Sequence, residues 1–309
     1  MTNYRFDLIR AADDEVPPRS VLLNRPFAAI DTGFEADARR FVPGQALETA
    51  INTAIAVGEP LLITGEPGTG KTQAAYYIAC KLGIEPVIHF QVKSDTTARD
   101  LLYNFDTVRY FHDAHIAGAT KTRLQKGRYV ERRALWEAFE SEYPRVLLID
   151  EIDKAPRDFP NDLLHEFDKM EFTVLETGKR IRTPPAKRPI LVITSNSERR
   201  LPEPFLRRCV YHHVRFDERL LQEAVRLRRD MYLPLSDDFI ALALRRFMAL
   251  RDEFPLRKTP STGEFLVWLR VLALAVGSYP EQLHTDLSKL PYLGVLLKDH
   301  QDIADVQKR

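Results

Sequence analysis

Apolar residues recur at helical spacing over residues 45–57, where Leu47, Ile51 and Ile55 share one face. A strand-like run follows at 60–64, then a helix-like stretch at 73–81. Residues 87–92 read as a second strand. Residues 134–143 read as a helix with Leu135, Ala138 and Phe139 on one side. A third strand, 145–149, is nearly all apolar, as a parallel strand buried on both faces should be. A fourth is expected at 190–194. Strands alternating with helices predict a three-layer α/β domain built on a parallel sheet.

Beyond Phe216 the periodicity is helical throughout. Helices are predicted at 217–230, 237–251 and 261–276, the last opened by the capping-box pattern Ser261-Thr262-Gly263-Glu264. A further helix is expected within 284–309. Residues 1–40 have no regular period, and Pro17-Pro18, Asn24-Arg25-Pro26 and Asp31-Thr32-Gly33 read as breaks and turns. The expected organisation is an N-terminal extension (1–40), an α/β domain (41–217) and a small all-helical domain (218–309).

Composition narrows the function classes. The 309 residues carry 45 basic and 44 acidic side chains, a net charge of +1, so no global field draws nucleic acid or anionic lipid. The two cysteines, Cys80 and Cys209, have no metal spacing, which points to a reducing compartment. No apolar run reaches the ~20 residues of a membrane span, and the mixed, acidic N-terminus does not read as a signal peptide. The expected location is the cytoplasm.

The chemistry begins where the first strand meets its helix. Gly65, Glu66, Pro67, Gly68, Thr69, Gly70, Lys71 and Thr72 form a complete phosphate-binding loop in the strand–loop–helix context the motif needs. Its glycines let backbone N–H groups face nucleotide phosphates, Lys71 reaches the β and γ phosphates, and the Thr72 hydroxyl meets Mg²⁺. The third strand delivers Asp150 and Glu151 to the same crevice, because ligands of open α/β sheets lie outside the carboxyl strand ends. Asp150 is placed to hold Mg²⁺ through its water shell, and Glu151 to polarise an attacking water. The fourth strand ends in Ser195-Asn196, and the Asn196 amide suits the γ-phosphate or the lytic water. Arg207 and Arg208 follow in the run Leu206-Arg207-Arg208-Cys209.

Four motifs in this order resemble an AAA+ ATPase of the MoxR-like, dynein-related (AAA_5-type) branch: the phosphate loop, 147–154, Thr194-Ser195-Asn196 and 202–209. The resemblance covers roughly residues 41–276. It implies a P-loop NTPase fold with a helical lid, ATP and Mg²⁺ as cofactors, and self-association into a ring, by habit a hexamer. It assigns Lys71 and Thr72 to the first Walker motif, Asp150 and Glu151 to the second, and Asn196 to sensor 1. Arg208, with Arg207 as rival, becomes the arginine that reaches a neighbour's γ-phosphate. A partner bearing a von Willebrand A domain is a family habit. The resemblance also carries a hairpin inserted in the second helix and facing the ring pore. Residues 171–182 are read as that hairpin, turning at Thr177-Gly178, with Lys179, Arg180 and Arg182 near the pore. The lid departs from the pattern, because no arginine stands at the start of its third helix; Arg257 or Lys258 is the candidate substitute. A motor acting on nucleic acid, a nucleotide-dependent scaffold with little turnover, and a small-molecule kinase are the competing readings.

Overall fold

The computed structural model describes residues 33–120, 124–275, 283 and 286–308. Residues 1–32, and with them most of the expected extension and its turns, lie outside the described residues. The described chain opens on a short helix, α1 (Phe34–Ala38), within the segment read as irregular.

It continues through α2 (Gly44–Val57), β1 (Leu61–Gly65), α3 (Lys71–Leu82), β2 (Ile88–Gln91), α4 (Ala98–Leu102) and β3 (Tyr103–Phe105). Next come α5 (Thr107–Thr120), β4 (Val130–Arg132), α6 (Ala134–Phe139) and β5 (Val146–Asp150). Then follow α7 (Phe159–Asp162), α8 (Leu164–Lys169), β6 (Glu171–Val174), β7 (Lys179–Arg182), β8 (Ile190–Ser195), α9 (Glu203–Leu206) and β9 (Val210–Val214). The remainder is helical: α10 (Glu218–Leu227), α11 (Asp237–Glu253), α12 (Thr262–Leu274), α13 (Leu293–Leu296) and α14 (His300–Gln307).

Two compact units emerge. The first spans 43–66 and 71–215. Its core is a five-stranded parallel sheet in the order β2-β5-β8-β1-β9 with flanking helices, the P-loop NTPase α/β fold. Every residue of β1 and β5 is buried, which is why both read as continuous apolar runs. The apolar cluster beneath includes Leu62, Leu147, Ile149, Ile193, Phe159 and Phe205. The sheet has one strand more than the pattern predicts. β9 is an edge strand, Val210-Tyr211-His212-His213-Val214, paired among the described residues only with β1, and its two histidines and exposed Tyr211 mask the apolar period.

The first unit also carries two antiparallel pairs, β3–β4 and β6–β7. The second lies where the sequence places it, with Val174 opposite Lys179 across the four-residue turn 175–178. Its place in the fold differs from the expectation. The pair that interrupts the helical segment after β2 is β3–β4, set between α4 and α6 and holding α5 at its tip. The β6–β7 hairpin comes after β5, α7 and α8, one sheet crossover later. Three-residue strands are too short for periodicity to detect, and the reading also passed over the 14-residue α5, so it placed nothing between residues 93 and 133.

The second unit comprises the described residues of 1–42, the loop tip Pro67–Gly70, and the chain from Phe216 onward. Among its described residues there is no strand. Trp268, Phe265, Phe247 and Leu221 fill its core, and Trp268 Nε1 donates to Pro291 O at 2.8 Å. Its helices start where the sequence supplies caps. Asp217 accepts from the N–H groups of Arg219 and Leu220. Ser236 accepts from Phe239 N–H. Ser261 and Glu264 form a reciprocal capping box at α12.

Candidate functional site

Parallel register lines up the carboxyl ends of four strands. Gln91 of β2 stands opposite Asp150 of β5, and Thr64 of β1 opposite Ser195 of β8. At the end of β1 the chain turns through Gly65, Gly68 and Gly70, all at positive φ. Gly68 is at φ +75°, and a Cβ there would meet Ser261 Oγ at 2.2 Å within the second unit, so only glycine fits. Its carbonyl accepts from Gly263 N–H at 3.1 Å.

Lys71, the first residue of α3, is buried, with 6% of its surface exposed. Its ammonium donates to Gly65 O and Glu66 O, each at 2.8 Å, so the loop fixes its own cation. Burial pulls the amine below the usual lysine range, while Asp153, Asp150, Glu151 and Glu66 favour the charged form.

Asp150 is the junction of the site. Its Oδ1 accepts from Thr72 Oγ1 at 3.0 Å and from Thr194 Oγ1 at 2.5 Å. His89 Nε2 stands 3.3 Å from its Oδ2. Burial alone would raise this carboxyl, but His89, Thr194 and Thr72 outweigh burial and hold it below the usual aspartate range. An ionised carboxylate beside a hydroxyl offers hard oxygen donors. That set fits Mg²⁺, which keeps most of its waters and needs few protein ligands. Among the described residues no group of three or more His, Cys, Asp or Glu side chains forms an all-protein metal cage.

Glu151 occupies the left-handed region, φ 60° and ψ 52°, a strained setting for a glutamate of the kind found at functional sites. Thr194 Oγ1 accepts its N–H at 2.8 Å. Its side chain is engaged on both oxygens. Asn196 Nδ2 donates to Oε1 at 3.0 Å; Gln91 Nε2 donates to Oε2 at 2.8 Å, and Lys154 Nζ pairs with the same oxygen. Asn196 is itself anchored, because buried Asp153 accepts its N–H at 3.2 Å and that of Glu198 at 2.9 Å. Lys71, Thr72, Asp150, Glu151 and Asn196 are thus gathered at one end of the sheet. Gln91, His89, Thr194, Asp153 and Lys154 have no assigned role in the sequence reading, although the last three lie inside its motifs.

Residues 60–209 match the AAA domain of the dynein-related subfamily. This segment is an AAA domain. Among solved structures, NtrX from Brucella abortus in complex with ADP aligns over 94% of this chain and 64% of its own, at 14% identity and a TM-score of 0.50. That likeness speaks to the fold alone, and the chain spans less than two thirds of NtrX. A candidate ATPase from Cytophaga hutchinsonii aligns over 88% of this chain and 83% of its own, at 14% identity and a TM-score of 0.42. No curated protein matches the chain in sequence.

Arg207 and Arg208 stand apart from this cluster. Arg208 pairs with Asp168 at 2.9 Å and donates to Pro204 O at 3.0 Å, and Arg207 pairs with Glu203 at 3.1 Å. Both are exposed, and neither touches Lys71, Asp150, Glu151 or Asn196. In the second unit, the backbone N–H groups of Arg257 and Lys258 bind the Asp302 carboxylate, at 2.9 and 3.0 Å.

The basic residues of the β6–β7 hairpin have acidic partners. Arg180 and Arg182 face Glu171, and Lys179 pairs with Glu140. The exposed apolar residue at its turn is Leu175, 78% accessible, whose N–H donates to Tyr103 Oη at 3.0 Å. Tyr103, Trp136 and Phe139 pack around Phe172 and join this hairpin to β3 and α6. No helix among the described residues is long and apolar enough to cross a membrane.

Proposed function

We propose that this chain is a Mg²⁺-dependent ATPase of the MoxR-like kind, working as a ring, by family habit a hexamer, that remodels or activates a protein partner. The observation that carries the reading is the convergence of Lys71, the Thr72–Asp150 pair and the Glu151–Asn196 pair at one sheet end. Lys71 holds phosphate charge at the loop. Mg²⁺ held through Thr72 and Asp150 would neutralise the charge that builds on the phosphates. Glu151 takes the proton of the attacking water. Asn196 orients that carboxylate and the water. With both oxygens of Glu151 engaged by Gln91, Lys154 and Asn196, this arrangement is a resting one, and Glu151 must shed a donor before it acts as base. Arg208, or Arg207, completes a neighbour's site from across a subunit interface. We assign the ATP-binding role to residues 41–217 and the lid role to 218–309.

The hairpin favours a protein over nucleic acid as cargo. Its cations are already paired with Glu171 and Glu140, while Leu175 is presented bare. The net charge of +1 adds no steering field. A partner with a von Willebrand A domain follows from the family resemblance.

The test is phosphate release by the purified chain, with Lys71→Ala and Glu151→Gln alongside. Turnover in the unsubstituted chain, loss of nucleotide binding in the first variant and retained binding without turnover in the second are expected. Turnover that survives Glu151→Gln overturns the assignment of the base. DNA and RNA binding that falls steeply with salt would move the cargo to nucleic acid.

A further inference from the structure

Asp150 is gripped twice by the same helix. Thr72 and Tyr76 lie one turn apart on α3 and so project from the same face. Thr72 bonds Asp150 Oδ1 directly. Tyr76, 8% exposed, places its hydroxyl 3.0 Å from His89 Nδ1, and His89 Nε2 faces Asp150 Oδ2 at 3.3 Å. The Tyr76 and His89 rings meet edge to face, with centroids 6.1 Å apart and planes at 78°. A carboxylate only accepts, so Nε2 carries a proton, and in the neutral ring Nδ1 accepts from the tyrosine hydroxyl. The chain from α3 through β2 to β5 therefore has a consistent donor direction from end to end.

We propose that His89, oriented by Tyr76, is a positioning residue for the Mg²⁺-binding carboxylate of Asp150. Oδ1 already receives two hydroxyls, from Thr72 and Thr194. The carboxylate can still swing about its own bond, and the imidazole at Oδ2 stops that swing. It holds the Thr72 hydroxyl and the Asp150 carboxylate in one fixed relation, the one in which the two would hold Mg²⁺. Partners that orient metal-binding carboxylates from behind are commonly worth a factor of about 10–100 in metal affinity. The proposal rests on the nucleotide reading above, and its test separates the two.

The probe is the fluorescent nucleotide mant-ADP, titrated into the full chain first in EDTA and then at rising Mg²⁺. In His89→Leu, the Mg²⁺ concentration for half-maximal effect should rise by about 10–100-fold, with the EDTA affinity unchanged. Tyr76→Phe removes one hydrogen bond and should shift it by about 2–10-fold. His89→Gln, which keeps an N–H donor near the Nε2 position, should recover most of the loss. The intact EDTA affinity reports a folded site in each variant. A Mg²⁺ midpoint unchanged in both His89→Leu and Tyr76→Phe overturns the proposal while leaving the nucleotide reading in place. So does a loss of EDTA affinity in both His89 variants, which would make the residue structural. Absence of mant-ADP binding by the unsubstituted chain defeats the nucleotide reading, and this inference with it.

Discussion

Gln91 donates its side-chain amide to Oε2 of Glu151 across 2.8 Å, from the end of one strand to the end of its neighbour. A carboxylate with both oxygens engaged cannot turn freely to a water. Gln91→Ala removes one of the donors. It should raise basal ATP turnover by about 2–10-fold, the range one hydrogen bond spans, and leave nucleotide affinity alone. Steady-state phosphate release beside equilibrium binding decides it, and a fall in turnover would mean that Gln91 aligns Glu151 rather than restraining it.

Asn196 separates into two functions at the atomic level. Its backbone N–H binds Asp153 and its side chain binds Glu151. Asn196→Ala keeps the first contact and loses the second. Hydrolysis should slow by roughly 10–100-fold, the worth of a bond to a charged group, with ATP and ADP affinities retained. Equal loss of both affinities with normal turnover of bound ATP would assign the amide to folding.

Arg208 is held by Asp168 and the carbonyl of Pro204, clear of its own cluster. If it serves a neighbouring subunit, activity per subunit should rise with protein concentration. Arg208→Ala should bind ATP and turn over slowly. Mixing it with excess Lys71→Ala should restore part of the activity, since arginines supplied in trans are worth about 10³–10⁵ in rate. Normal turnover in Arg208→Ala would send the same test to Arg207.

Trp268 is fully buried and its indole N–H bonds Pro291 O. Trp268→Ala opens a cavity and strands a carbonyl. It should cost about 3–5 kcal/mol, read from the denaturation of the helical unit. A loss below 1 kcal/mol, roughly the scale of a surface change, would show that this core collapses around the gap.

Cys209 is partly buried against the core, and burial first, then the charge of Glu59, pushes its thiol up to about 12. Iodoacetamide at pH 8 should therefore leave it unmodified in the native chain, at least ~100-fold slower than in the unfolded chain. Peptide mass spectrometry after a timed pulse reads this directly, and rapid native labelling of Cys209 would contradict the packing.

What the sequence made legible follows from how each element is buried. The strands of residues 61–65 and 146–150 are covered on both faces, so their composition alone announces them. Residues 210–214 line a sheet edge, half in water, and His212-His213 defeat a search for apolar alternation. The same holds at the site. Lys71, Thr72, Asp150, Glu151 and Asn196 sit inside contiguous motifs that chemistry constrains. His89 and Gln91 matter only because the strand order sets β2 beside β5, and Thr194, though inside a motif, acquires its role because β8 lies on the other side of β5. No local pattern encodes that neighbourhood. The hairpin was visible as two strands about Thr177-Gly178, but its crossover depends on β3–β4, whose three-residue strands left no period to read.

The aromatic cluster between the two hairpins has a mechanical consequence. A two-stranded ribbon is marginal alone and would bend under a tug at its tip. Here the Leu175 amide is tied to Tyr103, and Phe172 is wedged among Tyr103, Trp136 and Phe139. A force applied at Leu175 is thus borne as shear across a packed aromatic core and shared with β3 and α6. Those four rings belong to the same apolar core as Leu147, Ile149 and Ile193, so the two insertions are braced against the sheet that carries the site.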